Sequence, residues 1–224
     1  MDLLNSIDPN PPAHRLPVPQ PLTTVLIADR QSPDRGRLES FVQRGYSDAF
    51  GANLRSHYPL IVGLMDSEGD IVAAAGVRFA AAEPLFLERY LDRPIEAALR
   101  TMHGDTVQRG DIVEIGSFAA NGPARALEFF EALAGLLSPT EGRCFGVATV
   151  TPRLSAMLRR SGFDLTQIAK ADPARVENAA GDWGSYYEGG PSVLAGEIKI
   201  PDPLSPPRRR RSRALRDAAR DQDR

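Results

Sequence analysis

The apolar positions of this chain change period several times, and each change marks an element. Residues 23–30 (TTVLIADR) read as a short apolar strand. Residues 33–50 switch to helical spacing, with Leu38, Phe41, Val42, Gly45, Tyr46 and Ala49 on one face. Two apolar runs follow, at 60–66 and 70–80, and Asp66-Ser67-Glu68-Gly69 between them has the composition of a tight hairpin turn. Residues 83–99 predict two short helices interrupted ahead of Pro94. Residues 112–118 predict a strand and 123–137 an amphipathic helix. Residues 143–151 predict a buried strand, apolar on both faces, and 152–163 a helix that opens on Pro152 and stops at Gly162. The segments 164–170 and 192–200 read as final strands, with a loop rich in glycine and aromatic residues between them. A hairpin followed by strand–helix alternation predicts a mixed α/β sheet covered by helices, not a purely parallel one.

Composition sets the limits of that domain. The chain has 224 residues, 42% of them hydrophobic, which suffices for one core. Residues 1–21 are dense in proline and predict a flexible arm; 22–200 hold the domain. From Pro201 the chain becomes proline-rich and then RRRRSRALRDAARDQDR, which predicts a disordered basic tail over 201–224. A net charge of −2 gives no general pull toward nucleic acid or a membrane. The cluster Arg208–Arg211 is interleaved downstream with Asp217, Asp221 and Asp223 and has no aromatic for base stacking, so a solubilising role is the favoured reading. A single cysteine, Cys144, excludes an internal disulfide and fits a reducing compartment. No secretory pattern and no apolar run near the ~20 residues of a membrane span occurs, so a soluble cytoplasmic protein is expected. Three scattered histidines give no metal-ligand spacing, so no metal is expected, and no Gly-x-Ser-x-Gly marks a hydrolase.

The stretch Ile112–Leu137 (IVEIGSFAANGPARALEFFEALAGLL) carries the strongest chemical signal. A buried strand runs through Asn121-Gly122-Pro123-Ala124 into a helix. A helix N-terminus offers unpaired N–H groups and partial positive charge, and a turn of small residues lets backbone approach a phosphate-bearing ligand.

The order of elements resembles the Gcn5-related N-acyltransferase (GNAT) fold, a mixed, mostly antiparallel sheet flanked by helices. In that fold the strand before the central helix lines the pantetheine arm. A loop of pattern Arg/Gln-x-x-Gly-x-Gly/Ala then wraps the pyrophosphate of coenzyme A. The pattern falls here on residues 119–124: Gly122 and Ala124 match, Ala119 replaces the leading Arg/Gln, and Pro123 removes one donor from the cradle. A closer resemblance, over most of 35–198, is to the thermostable hemolysin family. It rests on RGYSDAFGA (44–52), PLFLERYLDRPIE (84–96), IVEIGSFAA (112–120) and WGSYYEGGP (183–191). The family name implies red-cell lysis, whereas the fold implies transfer of an acyl group to an amine acceptor from an acyl-CoA or acyl-carrier-protein thioester. A membrane-active toxin, with 85–99 as its inserting element, and a catalytically inactive binding module are the alternatives.

Acyl transfer requires an oriented thioester, a polarised carbonyl and removal of a proton from the amine. The backbone of Ser117, Phe118, Ala119, Ala120 and Asn121, with Gly122 and Ala124, is expected to hold the pantetheine-phosphate arm; Gly116 is compatible with a bulge there. Glu114, a lone acid in an apolar strand, is the general-base candidate, since an apolar wall raises a carboxyl pKa. The alternatives are that it faces solvent or pairs with an arginine such as Arg78. Tyr186 and Tyr187 are general-acid candidates or, with Trp183, aromatic packing. Arg78, Glu88 and Arg89 either line an acceptor pocket or form surface ion pairs. His57, after the first long helix, is a fourth substrate-binding candidate because histidine titrates at useful pH, or is simply an exposed loop residue. Cys144 reads as a buried, inert thiol.

Overall fold

The computed structural model describes residues 23–138 and 142–199. The expected proline-rich arm and basic tail lie outside them. Strands β1 (Thr24–Ala28), β2 (Leu60–Met65), β3 (Ile71–Phe79), β4 (Ile112–Ala120), β5 (Phe145–Val150), β6 (Thr166–Lys170) and β7 (Ser192–Glu197) form one sheet in the order β1-β2-β3-β4-β5-β7-β6. The helices are α1 (Arg35–Phe50), α2 (Ile95–His103), α3 (Pro123–Leu137), α4 (Pro152–Arg160) and α5 (Ala179–Trp183).

Every neighbouring pair of strands is antiparallel except β4 and β5. A parallel pair needs a crossover, and α3 supplies it. The β2–β3 hairpin closes as its sequence predicts: Asp66 Oδ1 accepts the N–H groups of Glu68 and Asp70, both at 3.0 Å. Strand alternation then sorts the core. Ile61, Ala74 and Ile112 point to the face that carries α1 and α2; Val62, Ala75 and Val113 point to the face that carries α3 and α4.

Two segments depart from the sequence reading. The first half of 83–99 is a five-residue 3-10 turn, Phe86–Tyr90. Side-chain carboxylates take its leading N–H groups, so no longer helix is needed to satisfy them. The glycine-aromatic loop holds α5 and two 3-10 turns, Pro173–Arg175 and Tyr186–Gly189. These pieces are too short to show a period.

A cleft between two splayed strands

β4 and β5 pair only over Ile112–Glu114 with Phe145–Val147. Beyond that point each strand keeps its outer partner, β4 with β3 as far as Ala120 and β5 with β7 as far as Val150. The seam between them opens. The cause lies in β4. Gly116 faces Gly76 and Ala119 faces Ala74, so two residues, Ser117 and Phe118, stand opposite Ala75. This is a β-bulge, which bends a strand and strengthens its twist. Ser117 adopts φ 49, a left-handed conformation that costs a non-glycine residue about 1–2 kcal/mol.

Tyr58 sits against the bulge. Its ring fills a slot left by the facing glycines Gly76 and Gly116, where a Cβ at either position would overlap the ring. The buried Arg35 holds the backbone there, donating to the carbonyls of Tyr58 at 2.6 Å and Pro59 at 3.1 Å.

The opening forms a cavity of about 570 Å³ that is mostly apolar. Phe130 and Leu133 of α3 and Leu154 and Met157 of α4 wall its inner part. On the opposite face Tyr46 and Phe50 of α1 and Tyr186 close over it. Ring centroids lie 5.2 Å apart for Phe50–Tyr186 and 6.0 Å for Tyr46–Tyr186. The Tyr186 hydroxyl donates to the Thr149 carbonyl at 2.9 Å. Thr149 Oγ1, on the cavity wall, is buried without a hydrogen-bond partner. At one end stands the N-terminus of α3, with Gly122 at φ 94 as its cap, Pro123 in the first turn and no side-chain cap. Gly122, Pro123 and Ala126 all line the cavity.

The structure brings together most of the expected thioester contacts. Ser117, Phe118, Ala119, Ala120 and Gly122 line the cleft. Asn121 borders a separate, open groove with Arg37, Arg44 and Asp48, and Ala124 lies exposed on α3, outside both. Tyr186 is on the wall; Tyr187 is not, and its hydroxyl shares a 2.6 Å hydrogen bond with that of Tyr90.

Glu114 is 1% exposed, which excludes the solvent-facing alternative. Its Oε2 accepts from the Phe86 N–H at 2.8 Å and its Oε1 from the Leu87 N–H at 2.9 Å. Arg78 Nη1 stands 3.9 Å away, the arginine partner the sequence suggested. Burial raises the Glu114 pKa, while the two amides and Arg78 oppose that rise.

The four expected acceptor-pocket residues do not converge on the cleft. Arg78 lies over the Tyr58 ring, 4.9 Å from its centroid. Glu88 is a staple: Arg109 binds both its oxygens at 2.8 and 2.9 Å, and it accepts from the N–H groups of Leu85 and Ile95. Chiefly through Arg109, its pKa is held down to about 2. Arg89 is exposed and stacks on Phe86. His57 is half-buried, and burial lowers its pKa. Cys144 is half-buried, and desolvation pushes its thiol up to about 11, which fits an inert group.

Sequence reasoning missed Tyr58, Tyr46 and Thr149. The only available signal for Tyr58 was a pair of glycines, Gly76 and Gly116, inside two apolar strands. Their register against each other becomes visible only in the folded sheet. Among the described residues no group of His, Cys, Asp and Glu could hold a metal, and no helix is long and apolar enough to cross a membrane.

A mixed seven-stranded sheet that opens at its one parallel pair, ahead of a central helix, is the GNAT-like class of fold. Residues 28–200 match the model of the thermostable hemolysin family, and the chain belongs to that family. Its sequence matches no curated protein. Among solved structures it is similar to the AHL synthase LasI, with a TM-score of 0.53 and 16% identity over 80% of this chain and 92% of that one. It is also similar to FeeM, an N-acyl amino acid synthase from uncultured soil microbes, with a TM-score of 0.52 and 15% identity over 82% and 93%. A third likeness is to TofI in complex with an inhibitor and MTA, with a TM-score of 0.50 and 17% identity over 80% and 91%. At these identities the likeness is one of fold.

Proposed function

We propose that this protein is an acyltransferase that moves a long apolar acyl group from a thioester to an amine. The observation that carries this reading is the open β4–β5 seam. It opens a mostly apolar cavity of about 570 Å³, walled by Phe130 and Leu133 of α3 and Leu154 and Met157 of α4, that an acetyl group would leave mostly empty. Each methylene buried there would contribute about 0.8 kcal/mol, or about fourfold in affinity. The register shift sets Ser117 and Phe118 opposite Ala75 on the cleft wall, and in this reading backbone N–H groups of that stretch polarise the thioester carbonyl and hold the oxyanion that develops on attack. The unpartnered Thr149 hydroxyl offers a further polar contact on the facing strand.

Glu114 is the proton acceptor in this reading, raised in pKa by burial and kept competent by the amides that hold it. Tyr186, on the cleft wall, gives a proton to the departing thiolate by exchanging its present acceptor, the Thr149 carbonyl, for the sulfur; the Tyr187 ring, bonded to Tyr90, packs edge-on against it. The donor is either acyl-CoA or an acyl carrier protein. Ala119 and Pro123 weaken the phosphate loop, which favours the carrier protein, whose own surface would add affinity. The acceptor is a small-molecule amine.

Calorimetry with acetyl-, octanoyl- and palmitoyl-CoA, and with octanoyl carrier protein, tests the reading. Affinity is expected to rise with chain length. No heat with any CoA thioester, but binding of the acylated carrier, assigns the carrier as donor. No binding by either class overturns the proposal. Dye release from liposomes at low protein concentration, in the absence of thioester binding, would favour the toxin instead.

A further inference from the structure

The rim of the cleft carries its charge on one helix. α4 reads PRLSAMLRR over Pro152–Arg160, with three arginines and no acid. Leu154 and Met157 wall the cavity, and Arg153 and Arg160 line it too while remaining exposed, so both stand on its rim. Many other arginines have their charge met by a carboxylate: Arg35 by Glu39, Arg78 by Glu83, Arg109 by Glu88 and Glu96, Arg143 by Glu197. Among the described residues no α4 arginine forms such a pair, and Arg159 meets only the Ser155 hydroxyl, at 3.3 Å. The next acid along the chain, Asp164, is exposed and joins none of them. The start of α3, which also borders the cavity, is the reverse. Its Arg125 is neutralised by Glu128 at 2.7 Å, and Pro123 has no N–H to offer.

We propose that α4 is the docking surface for an acidic carrier protein that presents the acyl group on its pantetheine arm, an inference that rests on the acyltransferase reading. Arg153 and Arg160 are seven residues apart, so they share one face of the helix and lie about 10 Å from each other along its axis. Side chains on a helix lean the same way, toward its N-terminus, so two at this spacing are not aimed at one point. A single phosphate cannot engage both. Carboxylates two turns apart on a partner helix repeat the same spacing and can engage each. A carrier held there stands at the rim of the cavity, where its arm has the shortest path in. Opposite charge on the two surfaces would also steer the encounter and set its orientation.

The test is the double variant Arg153→Glu/Arg160→Glu, made in the full chain at two exposed positions. Binding is measured for octanoyl carrier protein, for octanoyl-CoA, and for octanoyl-pantetheine, which has the arm without protein or phosphate. Carrier binding is expected to weaken about 30-fold or more, with octanoyl-pantetheine held as tightly as by wild type. Arg153→Lys/Arg160→Lys should keep carrier affinity within about threefold, because charge is being read. Arg93→Glu, at an exposed arginine that does not line the cleft, should change nothing. Raising salt from about 50 to 300 mM should weaken the carrier and spare the pantetheine ester. Unchanged carrier binding by the charge-reversed variant overturns the docking surface. So does a loss confined to octanoyl-CoA, which would assign the arginines to its phosphates, and so does an equal loss for all three ligands, which would mean a damaged cavity. If wild type binds the two small thioesters and not the carrier, the docking surface falls while the acyltransferase reading stands. If it binds none of the three, that reading fails and the docking surface falls with it.

Discussion

The two halves of the β4–β5 seam are built from opposite materials. In the closed half, Ile112–Glu114 pairs with Phe145–Val147, and charged side chains tie the surrounding chain: Glu114 holds Phe86 and Leu87, and Glu88 with Arg109 holds Leu85 and Ile95. In the open half, from Ile115 to Ala120, small and apolar residues line a gap with few polar groups. The closed half invests in rigidity; the open half leaves space. The difference teaches that a sheet can be opened locally without becoming unstable when each separated strand keeps its outer neighbour. Only backbone groups on the two facing edges lose their strand partners, and the Tyr186 hydroxyl takes one of them, the Thr149 carbonyl. The sharpest way to break this comparison is to fill the open half. Ala148→Phe places a ring from β5 into the gap. Binding of long-chain thioesters should fall at least 100-fold by calorimetry, while the thermal midpoint moves only a few degrees.

Next in size is the joint between the halves. Gly116→Ala drives a methyl into the Tyr58 ring, where backbone and a wedged aromatic leave no room to yield. Overpacking of this kind costs about 3 kcal/mol. Urea denaturation should show that loss, and the cost should shrink in the double variant with Tyr58→Ala, because the two positions contest one volume. Additive costs in the double variant would mean that the slot does not seat Tyr58.

The closed half is probed by acid. Glu88 has a folded pKa of about 2 against an ordinary value of 4.5. A depressed carboxyl stabilises the fold fully above its unfolded value, and that contribution disappears as pH falls from about 4.5 toward 2. Glu114 has the opposite sign: its raised pKa means that its charged form disfavours folding at higher pH. Glu88→Gln should therefore lower stability near neutral pH by about 2 kcal/mol, the scale of a charged hydrogen bond. It should also flatten the acid limb of a stability–pH curve measured by denaturant titration. An unchanged acid limb would show that another carboxyl, such as Glu197, dominates it.

How much of this was legible beforehand divides along the same seam. The elements themselves followed from period: α1 from Leu38, Val42 and Tyr46, the hairpin from Asp66 and Gly69, and α3 from Pro123 behind Gly122. The place of the cleft wall was legible too, because Ser117 through Ala120, which line it, are neighbours in sequence. The acceptor side was not. Arg78, Glu88, Arg89 and His57 were grouped by chemistry and proximity along the chain. In the fold, Glu88 turns to Arg109, a partner the sequence did not point to, whereas Arg78 meets Glu114, the pairing the sequence had offered as an alternative, and lies over Tyr58. Ion pairing depends on which distant arginine arrives, and no local period encodes that. Tyr58 was invisible for the same reason: its partners, Gly76 and Gly116, lie on two other strands.

The smallest expected effect concerns the bulge. Ser117 is 8% exposed and holds φ 49, a conformation glycine adopts without strain. Ser117→Gly should therefore stabilise the protein, by about 1 kcal/mol once the added freedom of the unfolded chain is set against the relieved strain. The consequence for the open half should run the other way. A glycine there lets the backbone leave the conformation that shapes this part of the cleft wall, so thiol release from octanoyl-CoA should slow while the thermal midpoint rises. Strain retained at a functional site predicts that pairing of gain and loss. A variant that is both more stable and equally fast would show that the bulge only shapes the strand and plays no part in holding the thioester.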